Sequence, residues 1–113
     1  MARVVALVPD LLFGSKVQGM LAAAGHEVEL VSTPERARAA IGNADLVIVD
    51  LTAGDVPTGG IVGVVPSLAF YSHVEADVKA RAEVAGYDLV VPRSRMARDG
   101  AALVERLTQR SSD

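Results

Sequence analysis

Leu46-Val-Ile-Val-Asp50 is the stretch of the sequence that decides the fold. Its four consecutive aliphatic residues leave no polar face, which is typical of a strand buried on both sides in a parallel sheet. Two further runs, Val4 to Val8 and Leu89 to Val91, share this pattern. The three runs therefore predict the inner strands of a parallel sheet that helices cover on both faces.

Two other segments complete the predicted sheet. Glu27 to Val31 alternates charged and apolar residues, which favours an edge strand, and Ser67 to Tyr71 follows a proline. The stretch 52–66 is rich in glycine and contains two prolines. A strand at Ile61 to Val65 would leave too little chain for a parallel crossover of about a dozen residues. We therefore place the fourth strand at 67–71, with a stunted third helix before it.

Helical spacing and end signals predict four full helices besides the stunted one. Val17, Met20, Leu21 and Ala24 share one helical face, and glycine at position 25 is placed to end that helix. Thr33 followed by Pro34 is a typical N-cap and first helical residue. The predicted N-caps of the four helices are Ser15, Thr33, Ser72 and Asp99, and the first three helices are expected to end at Gly25, Gly42 and Gly86.

The alternation of strands and helices predicts a three-layer α/β/α sandwich of the flavodoxin-like type, with five parallel strands in the order 2-1-3-4-5. The 113 residues suit a single domain spanning 1–113, with residues 110–113 as a frayed tail. The net charge of −3 argues against general nucleic-acid binding. The first apolar run is too short for a signal peptide or membrane span, so we expect a cytoplasmic protein with no membrane partner.

Polar residues follow the predicted strands at their carboxyl ends, where ligands bind in open parallel sheets. They are Asp10 after strand 1, Asp50 and Thr52 at strand 3, Ser72 and His73 after strand 4, and Arg93, Ser94 and Arg95 after strand 5. Asp10 and Asp50 repel each other unless a cation or a proton intervenes, which points to a metal or to Arg93 or Arg95. The structural alternatives are that Asp50 caps a turn and that the arginines and His73 are solvated.

These residues give the chain its likeness to a known family. Leu46-Val-Ile-Val-Asp50, Asp10, Ser72 and Ala85-Gly-Tyr-Asp88 together resemble the receiver domain of bacterial response regulators, the CheY-like fold. The resemblance implies that Asp50 is the phosphoacceptor, that Asp10 and Asp50 hold Mg²⁺, and that Ser72 is near the switch position. It also implies a kinase or output protein as partner, and a possible homodimer through the face that the family builds from helix 4, strand 5 and helix 5.

The chain departs from the family pattern in two motifs and in its stunted third helix. Pro9-Asp10 stands where the family has two adjacent acids, and Pro92-Arg93 stands where it has Lys-Pro. A phosphoryl receiver needs carboxylates for Mg²⁺ and a cation for the phosphate, and arginine does not simply replace lysine. We therefore expect a degenerate pseudo-receiver, not an enzyme, that signals through protein contacts with impaired or absent phosphorylation of Asp50.

Two other functions remain open at this point. A domain that binds small anions or nucleotides would use the Arg-rich rim, namely Arg93, Arg95, Ser72 and Lys16. Gly14-Ser15-Lys16 is too incomplete to be a phosphate-binding loop. A small enzyme would instead use Asp10 and Asp50 as an acid and base pair.

Overall fold

The sheet has the predicted strands in the predicted order. A computed structural model describes residues 1–72 and 76–110 of the chain. Its five parallel strands are β1 (Arg3–Leu7), β2 (Glu27–Val31), β3 (Leu46–Asp50), β4 (Ser67–Tyr71) and β5 (Leu89–Pro92). They pair in the order β2-β1-β3-β4-β5, which confirms the 2-1-3-4-5 topology and the edge position of β2.

Helices cover both faces of this sheet. They are α1 (Leu11–Ala23), α2 (Pro34–Ala40), α3 (Ala76–Ala85) and α4 (Arg93–Arg110), and a short 3-10 turn follows α2. Alternate strand residues face opposite sides, so each face builds its own core. The first core packs β-residues such as Ile48 and Phe70 against α1 and α4, and the second packs residues such as Val47 and Val49 against α2, α3 and the loop after β3.

Two helices begin earlier than the sequence predicts. The start of α1 is not at Ser15, because the Asp10 carboxylate accepts hydrogen bonds from the backbone N–H groups of Leu12 and Phe13 and caps the helix there. The start of α4 is not at Asp99, because the helix follows β5 directly at Arg93. The predicted ends at Gly25 and Gly86 are confirmed, with φ angles of 93° and 108° that favour glycine.

The predicted cap of α3 reaches residues beyond the described ranges. Ser72 is described, but Glu75 at the other end of its capping box is not, and neither are His73 and Val74. Arg110, the first residue of the predicted frayed tail, is the last residue of α4, and residues 111–113 lie outside the described ranges.

The segment between β3 and β4 contains no helix, although a stunted one was predicted. Residues 51–66 form turns and an isolated bridge between Val62 and Val65. Ile61 is fully buried in this segment and takes the place that a helix would fill on the second face of the sheet. The loop is thus a packed part of the second core.

Side chains from neighbouring elements hold the same loop by its backbone. Arg38 donates to the carbonyl of Gly59, Arg81 donates to the carbonyl of Gly54, and the Tyr87 hydroxyl donates to the carbonyl of Pro57. These bonds satisfy carbonyls that a helix would have paired internally. None of the helices within 1–72 and 76–110 combines the length and hydrophobicity that crossing a membrane requires.

Candidate functional site at the carboxyl edge of the sheet

The carboxyl ends of four strands carry the polar residues that the sequence predicts for the site. Asp10 follows β1 and caps α1, Asp50 is the last residue of β3, Ser72 follows β4, and Arg93 begins α4 directly after β5. All four strands are parallel, so these residues meet at one edge of the sheet. The structure therefore brings these four residues to one edge, and their role as a functional site stays a prediction.

Asp10 and Arg93 form an ion pair across this rim. Nη2 of Arg93 lies 3.0 Å from Oδ2 of Asp10, and both side chains are about two-fifths exposed, at 38% and 42%. The other oxygen of Asp10 accepts the two backbone N–H bonds of the α1 cap, at 3.0 and 3.2 Å. Both carboxylate oxygens are therefore engaged within the protein.

Phe13 fixes the position of the guanidinium. The Cζ atom of Arg93 lies 4.2 Å from the centre of the Phe13 ring, which is cation–π distance. Phe13 in turn packs against Phe70 of β4, with the ring centres 5.0 Å apart and the rings tilted by 53°. Phe70 is fully buried, so Arg93 rests on a platform anchored in the first core.

The charge of Asp10 is stabilised by these contacts. The backbone N–H of Phe13, the Arg93 guanidinium and the N–H of Leu12 all favour the carboxylate, and together they hold the pKa of Asp10 below its ordinary value of 3.8. Asp10 is thus a fixed negative charge that Arg93 neutralises.

Asp50 makes a local contact instead of joining the pair. Its Oδ1 accepts a hydrogen bond of 2.8 Å from the backbone N–H of Thr52, which is the turn-capping role that the sequence left open as an alternative. Thr52 is thereby placed at the rim by its backbone. No cation contacts Asp50 in the part of the chain that the structure describes.

The other predicted cations lie apart from the two carboxylates. Arg95 and Arg98 both pair with Asp99 of the same helix, at 3.9 and 3.3 Å. Lys16 is exposed on α1 and forms no ion pair with any described residue. His73 lies outside the described ranges.

A cleft of about 550 Å³ opens at the rim between β4, β5 and the start of α4. Its wall is formed by Phe13, Thr52, Tyr71, Ser72, Pro92, Arg93, Ser94 and Ala97. The sequence places Thr52, Ser72 and Arg93 at this rim but misses its aromatic wall. Phe13 lies three residues after Asp10, so a correct prediction of the α1 cap would have brought it to the same edge.

The residues at the rim fit Mg²⁺ poorly. Hard cations of this kind bind carboxylate oxygens, and both oxygens of Asp10 already have partners in the protein. One oxygen of Asp50 is likewise occupied by Thr52. No cluster of three or more metal-binding side chains exists within residues 1–72 and 76–110. Arg93 therefore occupies the Asp10 carboxylate that a metal ion would need as a ligand.

Comparisons with known proteins bear on the fold. No protein-family model matches the chain, and no curated protein matches it in sequence. Solved structures match closely in shape. The receiver domain of a Francisella response regulator aligns over 98% of this chain and 99% of its own, with a TM-score of 0.79 and 13% identity. A receiver-domain protein from Clostridium thermocellum aligns over 99% of this chain and 98% of its own, with a TM-score of 0.81 and 15% identity.

A third similar structure is that of an orphan response regulator from H. pylori. It covers 94% of this chain and 95% of its own, with a TM-score of 0.72 and 16% identity. At these identities the likeness concerns the backbone, while the rim residues must be judged from their own geometry. The chain has the three-layer, five-stranded fold of response-regulator receiver domains, as the resemblance in its sequence implies.

Proposed function

We propose that this chain is a receiver-type signalling module that works through protein contacts and does not use Asp50 as a phosphoacceptor. The observation that supports this most is the 3.0 Å ion pair between Arg93 and Asp10. In this role the domain regulates a partner protein in the cytoplasm and has no enzymatic activity of its own.

The chemistry of phosphoryl transfer supports the negative half of the proposal. Transfer to an aspartate needs a divalent cation held by carboxylates and a cation that pairs with the incoming phosphoryl group. Asp10 has both oxygens engaged, and the lysine that the family uses after strand 5 is replaced by Pro92-Arg93. Arg93 is held by Asp10 and Phe13, which leaves it poorly placed to follow a phosphoryl group at Asp50.

The partner surface proposed here is the face formed by α3, β5 and α4. Because the chain lacks a helix between β3 and β4, this face corresponds in position to the helix 4, strand 5 and helix 5 face of the resembling family. Val84 on α3 is 90% exposed, a large apolar side chain that a partner protein or a second copy of the chain would cover. The partner that covers this face is either an output protein that needs no kinase or a second copy of the chain.

The anion-binding alternative has less support. Each arginine of the rim has an aspartate partner, since Arg93 pairs with Asp10 while Arg95 and Arg98 pair with Asp99. An incoming anion would have to displace a carboxylate to gain full contact with any of these guanidinium groups. The acid and base alternative is also weakened, because Asp10 is held as a carboxylate by Arg93 and the cap.

Incubation with acetyl phosphate and Mg²⁺, followed by intact mass spectrometry, tests the proposal. We expect no phosphoryl adduct on the wild-type chain. Arg93→Ala is the informative second variant, because it frees one oxygen of Asp10 and leaves Asp50 unchanged. An adduct on the wild-type chain that Asp50→Asn abolishes would overturn the proposal.

The partner face is tested separately by sedimentation velocity over a range of concentrations. If the chain self-associates through α3, β5 and α4, Val84→Glu should abolish the dimer. Val64→Glu is the matched control, because Val64 is also exposed, at 51%, but lies in the loop after β3. A dimer that survives Val84→Glu and is lost in Val64→Glu would place the contact on the loop instead.

A further inference from the structure

The cleft at the rim has a composition that the proposed function does not use. Phe13, Tyr71, Pro92 and Ala97 supply apolar wall, while Thr52, Ser72 and Ser94 supply hydroxyl groups. Its volume of about 550 Å³ is in the range of small-molecule sites. The hydroxyls of these three residues form no hydrogen bond with another described residue. Residues 73–75, which follow Ser72, lie outside the described ranges.

Arg93 gives this cleft a flat, pre-positioned surface. Phe13 lies against one side of the guanidinium at 4.2 Å, and Asp10 holds it through Nη2 at 3.0 Å. The side chain is nevertheless 38% exposed and forms part of the cleft wall. Part of the Arg93 side chain is therefore open to a molecule in the cleft, and guanidinium groups stack well on aromatic rings.

The charge of the cleft sets the class of ligand. Because Asp10 neutralises Arg93, the described residues of the wall carry no unpaired charge that would serve as a counter-ion for an anion or a cation. An aromatic ring can still stack on the guanidinium, and a small polar substituent can bond to the hydroxyls.

We propose that this cleft binds a neutral, planar aromatic or heteroaromatic small molecule, stacked on Arg93 and bonded to the hydroxyl groups of the rim. The site goes beyond the signalling role and does not depend on how Asp50 behaves. The bound molecule would act as a signal at the same edge of the sheet where receiver domains, which the chain resembles, accept a phosphoryl group.

Two small carboxamides with the same polar group test the proposal. Each is titrated into the protein while the backbone N–H signals are monitored by NMR. Benzamide is planar and aromatic, whereas cyclohexanecarboxamide has the same polar group on a puckered ring. We expect benzamide to shift the signals of residues 13, 71, 72, 93 and 94 saturably, and cyclohexanecarboxamide to shift them weakly or not at all. Equal responses to both amides, or no saturable response to benzamide, would overturn the proposal.

Arg93→Lys is the matched variant, because lysine keeps the charge beside Asp10 and removes the planar stacking surface. We expect it to weaken benzamide binding by roughly two- to five-fold, the range of an exposed cation–π contact. Ala97→Leu is the second variant, since leucine favours the helix and fills the cleft, and it should abolish binding with the remaining spectrum unchanged. Unaltered affinity in both variants would show that benzamide binds elsewhere.

Inorganic phosphate serves as the third probe. The proposal predicts no saturable shift at the rim with phosphate, because the arginines there are paired with aspartates. A response to phosphate without a response to benzamide would overturn the proposal in favour of an anion site. That result would leave the question of Asp50 phosphorylation to the mass measurement described above.

Discussion

Arg93 decides, at the scale of single residues, what the rim can do. It stands after β5, contacts Asp10 through one nitrogen and rests on Phe13. A lysine at this position would carry one compact charge on a flexible stem, whereas arginine is planar and stacks, so Arg93 acts as a fixed cation. The sequence identifies both members of the pair as rim residues. It does not reveal the pairing, because that depends on α4 beginning at Arg93, six residues before the predicted cap at Asp99.

Asp10→Asn tests the energetic role of this pair through pH. Asparagine can still cap α1, but it cannot pair with Arg93. Because folding lowers the pKa of Asp10 below 3.8, its charge stabilises the fold above that value and the contribution is lost as pH falls further. Urea unfolding should therefore show the wild type to be more stable at neutral pH, with the difference disappearing in acid.

Asp55→Asn is the control for the Asp10 experiment, because Asp55 is exposed and forms no ion pair within the described residues. It should show little difference from the wild type at any pH. A stability gap for Asp10→Asn that persists unchanged well below pH 3.8 would mean that the ion pair does not contribute through the charge of Asp10.

Tyr87 gives a second residue-scale prediction at the other end of the pH scale. Burial raises the pKa of Tyr87 from 10.0 to about 12, and its hydroxyl donates to the carbonyl of Pro57. The unfolded chain ionises first, so this residue's contribution is complete below pH 10 and is lost as pH rises toward 12. Tyr87→Phe should lower the free energy of unfolding by about 1 kcal/mol at pH 8, the value of one hydrogen bond.

The gap between wild type and Tyr87→Phe should then shrink as pH rises from 10 toward 12, because phenylalanine does not titrate. Denaturant unfolding at a series of alkaline pH values measures it. A gap that remains constant over this interval would show that the phenol is not buried in the folded protein.

The loop after β3 is the main departure at the scale of elements. The sequence predicts a helix that is stunted, and the glycines and prolines of 52–66 correctly indicate that a normal helix cannot form there. It does not predict that Ile61 replaces the helix in the core, because the apolar residues of 61–65 have no clear period that would show which of them is buried. The predicted starts of α1 and α4 are wrong because each helix begins before the residue taken as its cap: Asp10 caps α1, and α4 follows β5 directly at Arg93.

Ile61→Ala measures how firmly this loop belongs to the core. Ile61 is fully buried, so we expect the substitution to lower the free energy of unfolding by about 2–4 kcal/mol through lost contacts and a cavity. Val64→Ala in the same loop should change it by less than about 0.5 kcal/mol, because Val64 is half exposed. Equal and small effects in urea unfolding would contradict the packing and indicate a loosely held loop.

At the scale of the whole molecule, the sequence predicts the fold more completely than it predicts the helix starts or the side-chain contacts. Three runs that are apolar on both faces, one alternating strand and the helices between them are enough to predict the layers and the strand order, because few topologies satisfy right-handed crossovers. The site is predicted in outline, since the carboxyl ends of parallel strands bring Asp10, Asp50, Ser72 and Arg93 to one edge. Which of these residues contact one another depends on side-chain geometry that spacing along the chain does not encode.

A titration with Mg²⁺ alone, and then with beryllofluoride, followed by amide NMR, tests the central claim most directly. Beryllofluoride with Mg²⁺ imitates a phosphoryl group on an aspartate, so it reports on Asp50 without needing a phosphodonor. The account predicts no saturable shifts at Asp10, Asp50, Ser72 or Arg93 at millimolar Mg²⁺, because Arg93 already neutralises Asp10. Saturable shifts centred on these residues and abolished by Asp50→Asn would contradict it and show a working phosphoryl receiver.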